Sequence, residues 1–440
     1  MNLHRLLRER GRPVRVGLIG AGKFGSMFLA QVPTTPGLEV AAIADLRPDR
    51  AREACAGVGW DAGRIAATRF TDDAQALMAM DLDAVVEATG HPAAGIAHAR
   101  AAFARGRHVV MVNVEADALA GPLLAREARE AGVVYSLAYG DQPALIAELV
   151  DWARACGFRV LAAGKGTKYL PEYHASTPET VWGHYGLTPE QAAAGGMNPQ
   201  MFNSFLDGTK SALEMAAVAN ATGLDVPADG LAFPPAASRE LAAVLGDRAG
   251  EVEVVSSLHR DGRPVADDLR WGVYAVFEAP TPYAARCFAE YGVPTDATGT
   301  RAALWRPLHL IGLELNVSVL SAVLRGEATG SPDSFRGDVV ATAKRALRAG
   351  EVLDGEGGRH VWGKLMPAAG SLALGGLPIG LAGGVRLRRD VAGGAPLCWA
   401  DVEVDESASA YRYRREMEAR FGGAAPGADT GAETRARAAG

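Results

Sequence analysis

An aspartate and a lysine three residues apart, Asp207 and Lys210, stand in the segment MFNSFLDGTKSALEMAAVANA, residues 201–221. Read as one helix, Asn203, Asp207, Lys210 and Glu214 fall at i, i+4, i+7 and i+11 and form one polar stripe. The other faces carry Met201, Phe202, Phe205, Leu206, Leu213 and Met215. A stripe so narrow is what a helix lining a polar cavity presents, whereas a surface helix shows a broad polar face. In such a cavity Asp207 would hold Lys210 charged and aimed, and the lysine could polarise a carbonyl or transfer a proton while hydride moves. A solvated, ion-paired stripe is the other reading.

A second group follows the apolar run FRVLAA: Gly164-Lys165-Gly166-Thr167-Lys168-Tyr169. Read as a glycine-rich turn at a strand end, it would aim Lys165 and Lys168 at a carboxylate or phosphate, with Thr167, His174 and His184 close by. Two solvated lysines are the alternative. His309 and Glu314 carry little weight, being equally well explained as satisfied core residues. No His/Cys/Asp cluster has metal-ligand spacing, so no metal ligands are assigned and any need for a divalent ion stays open.

The third group is a complete G-x-G-x-x-G: Gly20-Ala21-Gly22-Lys23-Phe24-Gly25. Its context gives it meaning. It follows the buried-strand run VRVGLIG, opens a helix, and is trailed by Asp45 at the end of a second apolar run. Gly20 and Gly22 would let the backbone approach a pyrophosphate. Gly25 would let helix and strand pack, while free N–H groups at the helix start meet the anion. Asp45 favours the ribose hydroxyls of NAD, whereas Arg47 and Arg50 could grip the 2′-phosphate of NADP. Further coenzyme contacts are expected at Thr89-Gly90-His91, with Asn113 and Glu115 near the nicotinamide. Glu115 reads equally well as a helix-start carboxylate.

These residues need a frame. Apolar runs at 14–20, 38–44, 84–88, 108–112 and 133–138 alternate with helical stretches at 47–56, 94–105 and 121–131, the rhythm of a doubly wound parallel sheet. A helix at 143–156 and a strand at 158–163 continue it. Beyond lie loops (164–200), the helix 201–221, strands at 251–258 and 271–278, and an apolar helix at 311–324: a mixed α+β unit. From about 337, short strands punctuated by glycine predict a small all-β module with little helix. The expected organisation is α/β overall, with a Rossmann domain at 1–156, a catalytic and substrate domain at 157–336, a β module at 337–421 and a disordered tail at 422–440.

The totals set limits. A chain of 440 residues exceeds one core. With a net charge of −6 it offers no basic field for nucleic acid or an anionic membrane. Cys55, Cys156, Cys287 and Cys398 lie too far apart for a Cys-x-x-Cys site, which fits a reducing cytoplasm. The segment 311–324 is too short to span a bilayer. A cytoplasmic homo-oligomer acting on a small molecule is expected.

The segments GDQPALIAELVDWARACGFRVLAAGKGTKYLPEYHASTPETVW, GGMNPQMFNSFLDGTKSALEMAAVANATGL and RPLHLIGLELNVSVLSAVLRGEATG resemble the 1-deoxy-D-xylulose 5-phosphate reductoisomerase-like (DRL) oxidoreductases of the homoserine dehydrogenase-like superfamily. AKRALRAGEVLDGEGGRHVWGKL and LPIGLAGGVRLRRD are similar to a SAF (β-clip) domain. The resemblance implies Asp207 and Lys210 as a catalytic pair, Lys165, Thr167 and Lys168 at the substrate, and NADPH as donor. Where homoserine dehydrogenases carry Asn-Lys after the fifth Rossmann strand, this chain has Val114-Glu115, which implies a different substrate or proton route. The expectation is hydride transfer to or from a small, polar, anionic sugar phosphate, sugar acid or polyol, with or without a skeletal rearrangement. A homoserine-like dehydrogenase of a hydroxy amino acid and an NADPH-sensing assembly protein are the rivals.

Overall fold

The computed structural model describes residues 2–422; the expected tail beyond Gly422 lies outside the described residues. Six strands, β1 (Val14–Ile19), β2 (Leu38–Ala44), β3 (Arg69–Thr71), β4 (Ala84–Glu87), β5 (His108–Met111) and β6 (Tyr135–Leu137), form one parallel sheet in the order β3-β2-β1-β4-β5-β6. Their apolar runs are buried on both faces because helices cover both sides. The helices that matter for the site are α1 (Lys23–Gln31), α2 (Val114–Glu130) and α3 (Gln142–Ala155). The carboxyl ends of β1, β4 and β5 open onto one edge, where ligands of such sheets bind.

A second sheet, mixed and four-stranded, has the order β10-β9-β7-β8, with β7 Arg159–Thr167, β8 Glu251–Ser256, β9 Val273–Glu278 and β10 Arg301–Arg306. The GKGT segment belongs to β7 and is not a turn. Its glycines answer to neighbouring chains: a Cβ on Gly164 would lie 1.7 Å from the Glu253 carbonyl oxygen, and one on Gly166 would lie 1.9 Å from that of Leu269.

The expected helix over 201–221 is two helices, α4 (Pro199–Leu206) and α5 (Thr209–Thr222). The break falls at Asp207-Gly208. Asp207 Oδ1 accepts the Thr209 N–H (2.9 Å), and Gly208 adopts φ +90°, which a side chain would resist. Asn203 and Asp207 therefore do not share a helix face with Lys210 and Glu214. Helix α5 is buried almost throughout, from Ser211 to Asn220, between α2, α3 and the following strands. The expected helix 311–324 begins later, as α6 (Asn316–Arg325). Gly312 turns the chain with φ +74°, and the Glu314 side chain binds Arg306 and the Leu310 N–H.

The last part is less purely β than its glycines suggest. Strands β11 (Gly337–Ala343) and β12 (Val361–Pro367) pair antiparallel, as do the two-residue β13 (Arg386–Leu387) and β14 (Val402–Glu403), but LPIGLA forms a 3₁₀ turn. A helix at Ala368–Leu374 and a longer one, α7 (Ser409–Phe421), were not expected. Helix α7 escapes a hydropathy reading because its buried face includes a charge. Arg414 is fully buried and bidentate to Asp338 on β11 (2.6 and 3.1 Å), with further bonds to Glu418 (2.8 Å) and the Leu119 carbonyl of α2 (3.1 Å). One guanidinium thus ties three elements together. Arg414→Ala leaves the buried Asp338 carboxylate without a counter-charge, and a loss of roughly 3–5 kcal/mol is expected, measured as a lower urea midpoint.

Candidate active site

The glycine loop divides its labour. Gly20, at φ +93°, would place a Cβ 2.7 Å from the Ala88 carbonyl oxygen, and Gly25 would place one 2.5 Å from that of Gly20. Both are glycine because the protein itself leaves no room. A Cβ on Gly22 would meet nothing within 4 Å. Gly22 is the N-cap of α1 and supplies no side-chain cap, so the first N–H groups of that helix face the open space. This is the cradle a diphosphate needs, and the residues fit the coenzyme.

Lys23 is exposed and Phe24 half-buried at the helix start. The Asp45 carboxylate accepts the Ala21 N–H and the Arg47 N–H, both at 2.9 Å, which fixes it beside the loop with lone pairs to spare. Arg47 and Arg50 are exposed just beyond.

Thr89, Gly90 and His91 form the exposed turn after β4. Thr89 donates to the buried Glu87 (2.6 Å), and His91 Nδ1 accepts the Ala94 N–H. Asn113, expected near the nicotinamide, is buried. Its amide donates to the His91 carbonyl (3.0 Å) and Thr89 Oγ1 (3.3 Å), and its oxygen caps α2 at Ala116. It braces the turn.

Glu115 unites the two readings given to it. It lies in the first turn of α2, and its Oε1 pairs with Lys210 Nζ at 2.6 Å. Burial alone would pull the Lys210 ammonium down, but the carboxylates of Glu115, Glu356, Glu214 and Asp141 raise it well above the usual lysine range. Lys210 is a fixed cation with a side chain only 18% exposed, on the first turn of α5 and at the carboxyl edge beside β5.

The expected Asp207–Lys210 pair does not form. Asp207 is fully buried and pairs with Lys344 of the C-terminal part (Nζ–Oδ2 2.7 Å). Lys344 also donates to the carbonyls of Ser176 and Gly358, both at 2.7 Å. Asp207 therefore fixes the helix break, and it is Glu115 that orients Lys210. Lys165 is likewise no open anion grip: it is buried in an ion pair with Glu214 and donates to Gln142 Oε1 (2.8 Å). Glu214 is engaged by the same pair. Asn203, expected at the substrate, is a buried strut bonded to Ser176 and the Gly357 carbonyl.

His174 bonds Tyr169 Oη (2.9 Å) and the Asp207 carbonyl (2.7 Å), and it stacks on Trp362 at 3.8 Å. Burial pushes it down to about 4, so the ring is neutral with both nitrogens engaged, and it braces the helix break. Thr167 ends β7, its carbonyl accepting the Ser257 N–H. Lys168 is different: its Nζ donates to the His184 carbonyl, and burial together with Arg270 lowers its pKa. Among the described residues Lys168 has no carboxylate partner.

Three site residues escaped sequence reasoning: Lys344, Asp141 and Glu356. Burial and the Glu214 carboxylate push Asp141 up to about 6, and burial with Glu115 pushes Glu356 up to about 8. Asp141 had a usable signal, an Asp-Gln-Pro helix start, since it caps α3 at Gln142. Among the described residues no group of three or more His, Cys, Asp or Glu side chains is disposed to hold a metal ion. No helix among them is long and apolar enough to cross a membrane.

A parallel sheet of this order, with a diphosphate cradle after its first strand and a fixed cation at the same edge, defines an NAD(P)-dependent oxidoreductase. Residues 14–112 match the NAD-binding Rossmann fold of an oxidoreductase family. Residues 140–315 match the catalytic domain of oxidoreductase DRL. Curated proteins yield no match. Among solved structures, the chain is similar to KijD10, a 3-ketoreductase from Actinomadura kijaniata in complex with TDP-benzene and NADP (22% identity over 36% of this chain and 49% of that one, TM-score 0.27). It is also similar to the WlbA dehydrogenase from Bordetella pertussis in complex with NADH and UDP-GlcNAcA (23%, 38% and 50%, 0.27). A third is apo scyllo-inositol dehydrogenase from Lactobacillus casei (11%, 73% and 91%, 0.40). The chain spans about half the length of the first two.

The glycines separate binding from folding. Gly22→Ala is expected to keep the wild-type melting temperature and weaken NADPH binding by about tenfold or more, because its Cβ enters the diphosphate space. Gly25→Ala should lower both, as melting and fluorescence titration would show.

Proposed function

We propose that this oxidoreductase moves hydride between NADPH and the carbonyl or alcohol carbon of a small, polar, anionic polyol, sugar acid or sugar phosphate. The observation that carries the reading is the Lys210–Glu115 pair: an ammonium locked at the strand edge that also carries the diphosphate cradle, two strands along. A coenzyme lying with its diphosphate on α1 would extend past the Thr89 turn toward this cation. When bound, the nicotinamide supplies or accepts the hydride. Lys210 stabilises the negative charge that develops on the substrate oxygen, where a preorganised cation in a water-poor pocket is most effective. Glu115 keeps that cation aimed. The Asp207–Lys344 pair and Gly208 fix where α5 starts, and hence where Lys210 stands.

The anionic end is assigned to Lys168 and Arg270. They lie close enough for Arg270 to lower the Lys168 pKa, and two neighbouring cations without a carboxylate between them favour a bound anion. Lys165, neutralised by Glu214, has no such role. For the coenzyme, the exposed Arg47 and Arg50 just beyond Asp45 support NADPH.

The test is oxidation of NADPH with a panel of aldoses, ketoses, sugar acids and sugar phosphates. Lys210→Met should lower kcat by on the order of 10²–10³ with NADPH binding unchanged; undiminished turnover would overturn the assignment. Replacing both Arg47 and Arg50 by alanine should weaken NADPH by about tenfold and leave NADH alone, measured by titration with each coenzyme.

A further inference from the structure

A cavity of about 230 Å³ lies where the start of α5 meets β12 and the segment 229–233. Its lining includes neither Lys210 nor Glu115, and nothing from the coenzyme sheet. Close backbone approaches build it. The Gly363 N–H donates to Thr209 Oγ1 (2.8 Å), which seats β12 on the first residue of α5. Gly230, at φ +84°, would place a Cβ 2.8 Å from the Leu365 carbonyl oxygen, so only a glycine lets the segment 229–233 reach β12. Gly208 closes the wall at the helix break, where a Cβ would lie 3.2 Å from the His174 ring. The aromatic walls are held as firmly. His174 stacks on Trp362, and Phe233 stacks on Tyr169 at 3.9 Å. Phe233 adopts φ +50°, a region that bulky residues rarely enter. Its N–H donates to Glu253 Oε1 (3.3 Å) and its carbonyl accepts from Arg260 (3.0 Å), which keeps it there. Strain fixed from several sides is characteristic of ligand sites.

The polar groups single this cavity out. Trp362 and Lys364, two residues apart, share one face of β12. Lys364 is half-buried, yet its ammonium has no hydrogen bond and no ion pair among the described residues. The Trp362 indole N–H likewise has no acceptor among them. Asp229 also lines the cavity, exposed and unpaired. Two opposite charges on the walls of one small cavity, with no N–O approach within 4.0 Å, leave a gap between them that a molecule carrying both signs would bridge. A half-buried cation without a counter-charge is unfavourable, and a bound carboxylate relieves it. The neutral His174 adds no third charge. Leu231, Phe233 and Ala212 leave the rest of the space apolar. At roughly 30 Å³ for each water-sized group, the cavity admits about eight non-hydrogen atoms.

We propose that this cavity binds a small apolar α-amino acid of the size of valine or leucine. Its carboxylate lies on Lys364 and the Trp362 N–H, its ammonium toward Asp229, and its side chain against Leu231 and Phe233. A phosphate or a dicarboxylate would bring surplus negative charge to Asp229, and a simple carboxylic acid or amine would leave one of the two charges unmatched. The amino acid rests against Gly208 and His174, which brace the break before α5, so its binding steadies the start of the helix that carries Lys210. The site is separate from that of hydride transfer and does not depend on which substrate is reduced.

The test is calorimetric titration of the full chain, without coenzyme, using L-valine, L-leucine, isovalerate, isobutylamine and inorganic phosphate as probes. L-Valine or L-leucine should saturate a single site with a millimolar or tighter Kd, about tenfold or more below that of any other probe, and should raise the melting temperature. Lys364→Met and Asp229→Asn should each weaken that binding by about tenfold while keeping the wild-type melting temperature in the absence of ligand. Asp229 is exposed, so its variant tests the site even if Lys364→Met folds poorly. Lys210→Met should bind the amino acid as the wild type does. Failure of both amino acids to saturate, equal binding of isovalerate or phosphate, or binding indifferent to Lys364→Met and Asp229→Asn overturns the proposal and leaves the hydride-transfer reading standing. Loss of binding in Lys210→Met also overturns it, by placing the amino acid at the hydride-transfer site.

Discussion

The Lys210–Glu115 ion pair joins two parts of the chain that have no covalent reason to face each other. Glu115 opens the helix after the fifth Rossmann strand, and Lys210 opens the buried helix α5 nearly a hundred residues later. A half-buried cation is stable only beside a counter-charge, and the site supplies several. The pair therefore does two jobs. It docks α2 of the coenzyme sheet onto α5, and it leaves a fixed positive charge at the edge where, on the proposed reading, a nicotinamide would end. If either partner moved by a turn of helix, the other would be an uncompensated charge in a poorly solvated place.

The same economy runs through the surroundings. Lys165 with Glu214, Asp207 with Lys344, and Arg414 with Asp338 each match a buried charge with an opposite one, and each pair crosses between elements distant in sequence. Such pairs contribute less to net stability than to register, because a shifted element would strand a charge. The C-terminal part takes part in two of these three. It supplies Lys344, which fixes the break before α5, and the loop that carries Glu356. The proposed site thus draws on the strand edge of the coenzyme sheet and on the helix break, the second of which the C-terminal Lys344 holds.

What the sequence showed and what it hid differ in range. The glycine loop, the parallel sheet and the cation on residue 210 follow from short-range rules: periodicity, a strand before and a helix after, a carboxylate at the next strand end. The helix break at Gly208 was locally legible in Asp-Gly, yet the apolar periodicity on both sides masked it. The glycines of β7 misled, since they look like turn residues and are small only because Glu253 and Leu269 pass too close. Lys344 and Glu356 could not be found by spacing. Nothing near either residue in sequence says that the chain returns to the mouth of α5.

The central claim is spatial: the coenzyme ring and the Lys210 ammonium face the same small space. A crystal structure of the protein with NADPH bound measures this directly. The account requires the diphosphate on the N–H groups that begin α1, and the nicotinamide beyond the Thr89 turn with Lys210 Nζ, still paired to Glu115, facing the reactive carbon across room for a substrate oxygen. A ring turned away from α5, or a Lys210 pointing into bulk water with Glu115 released, would contradict it.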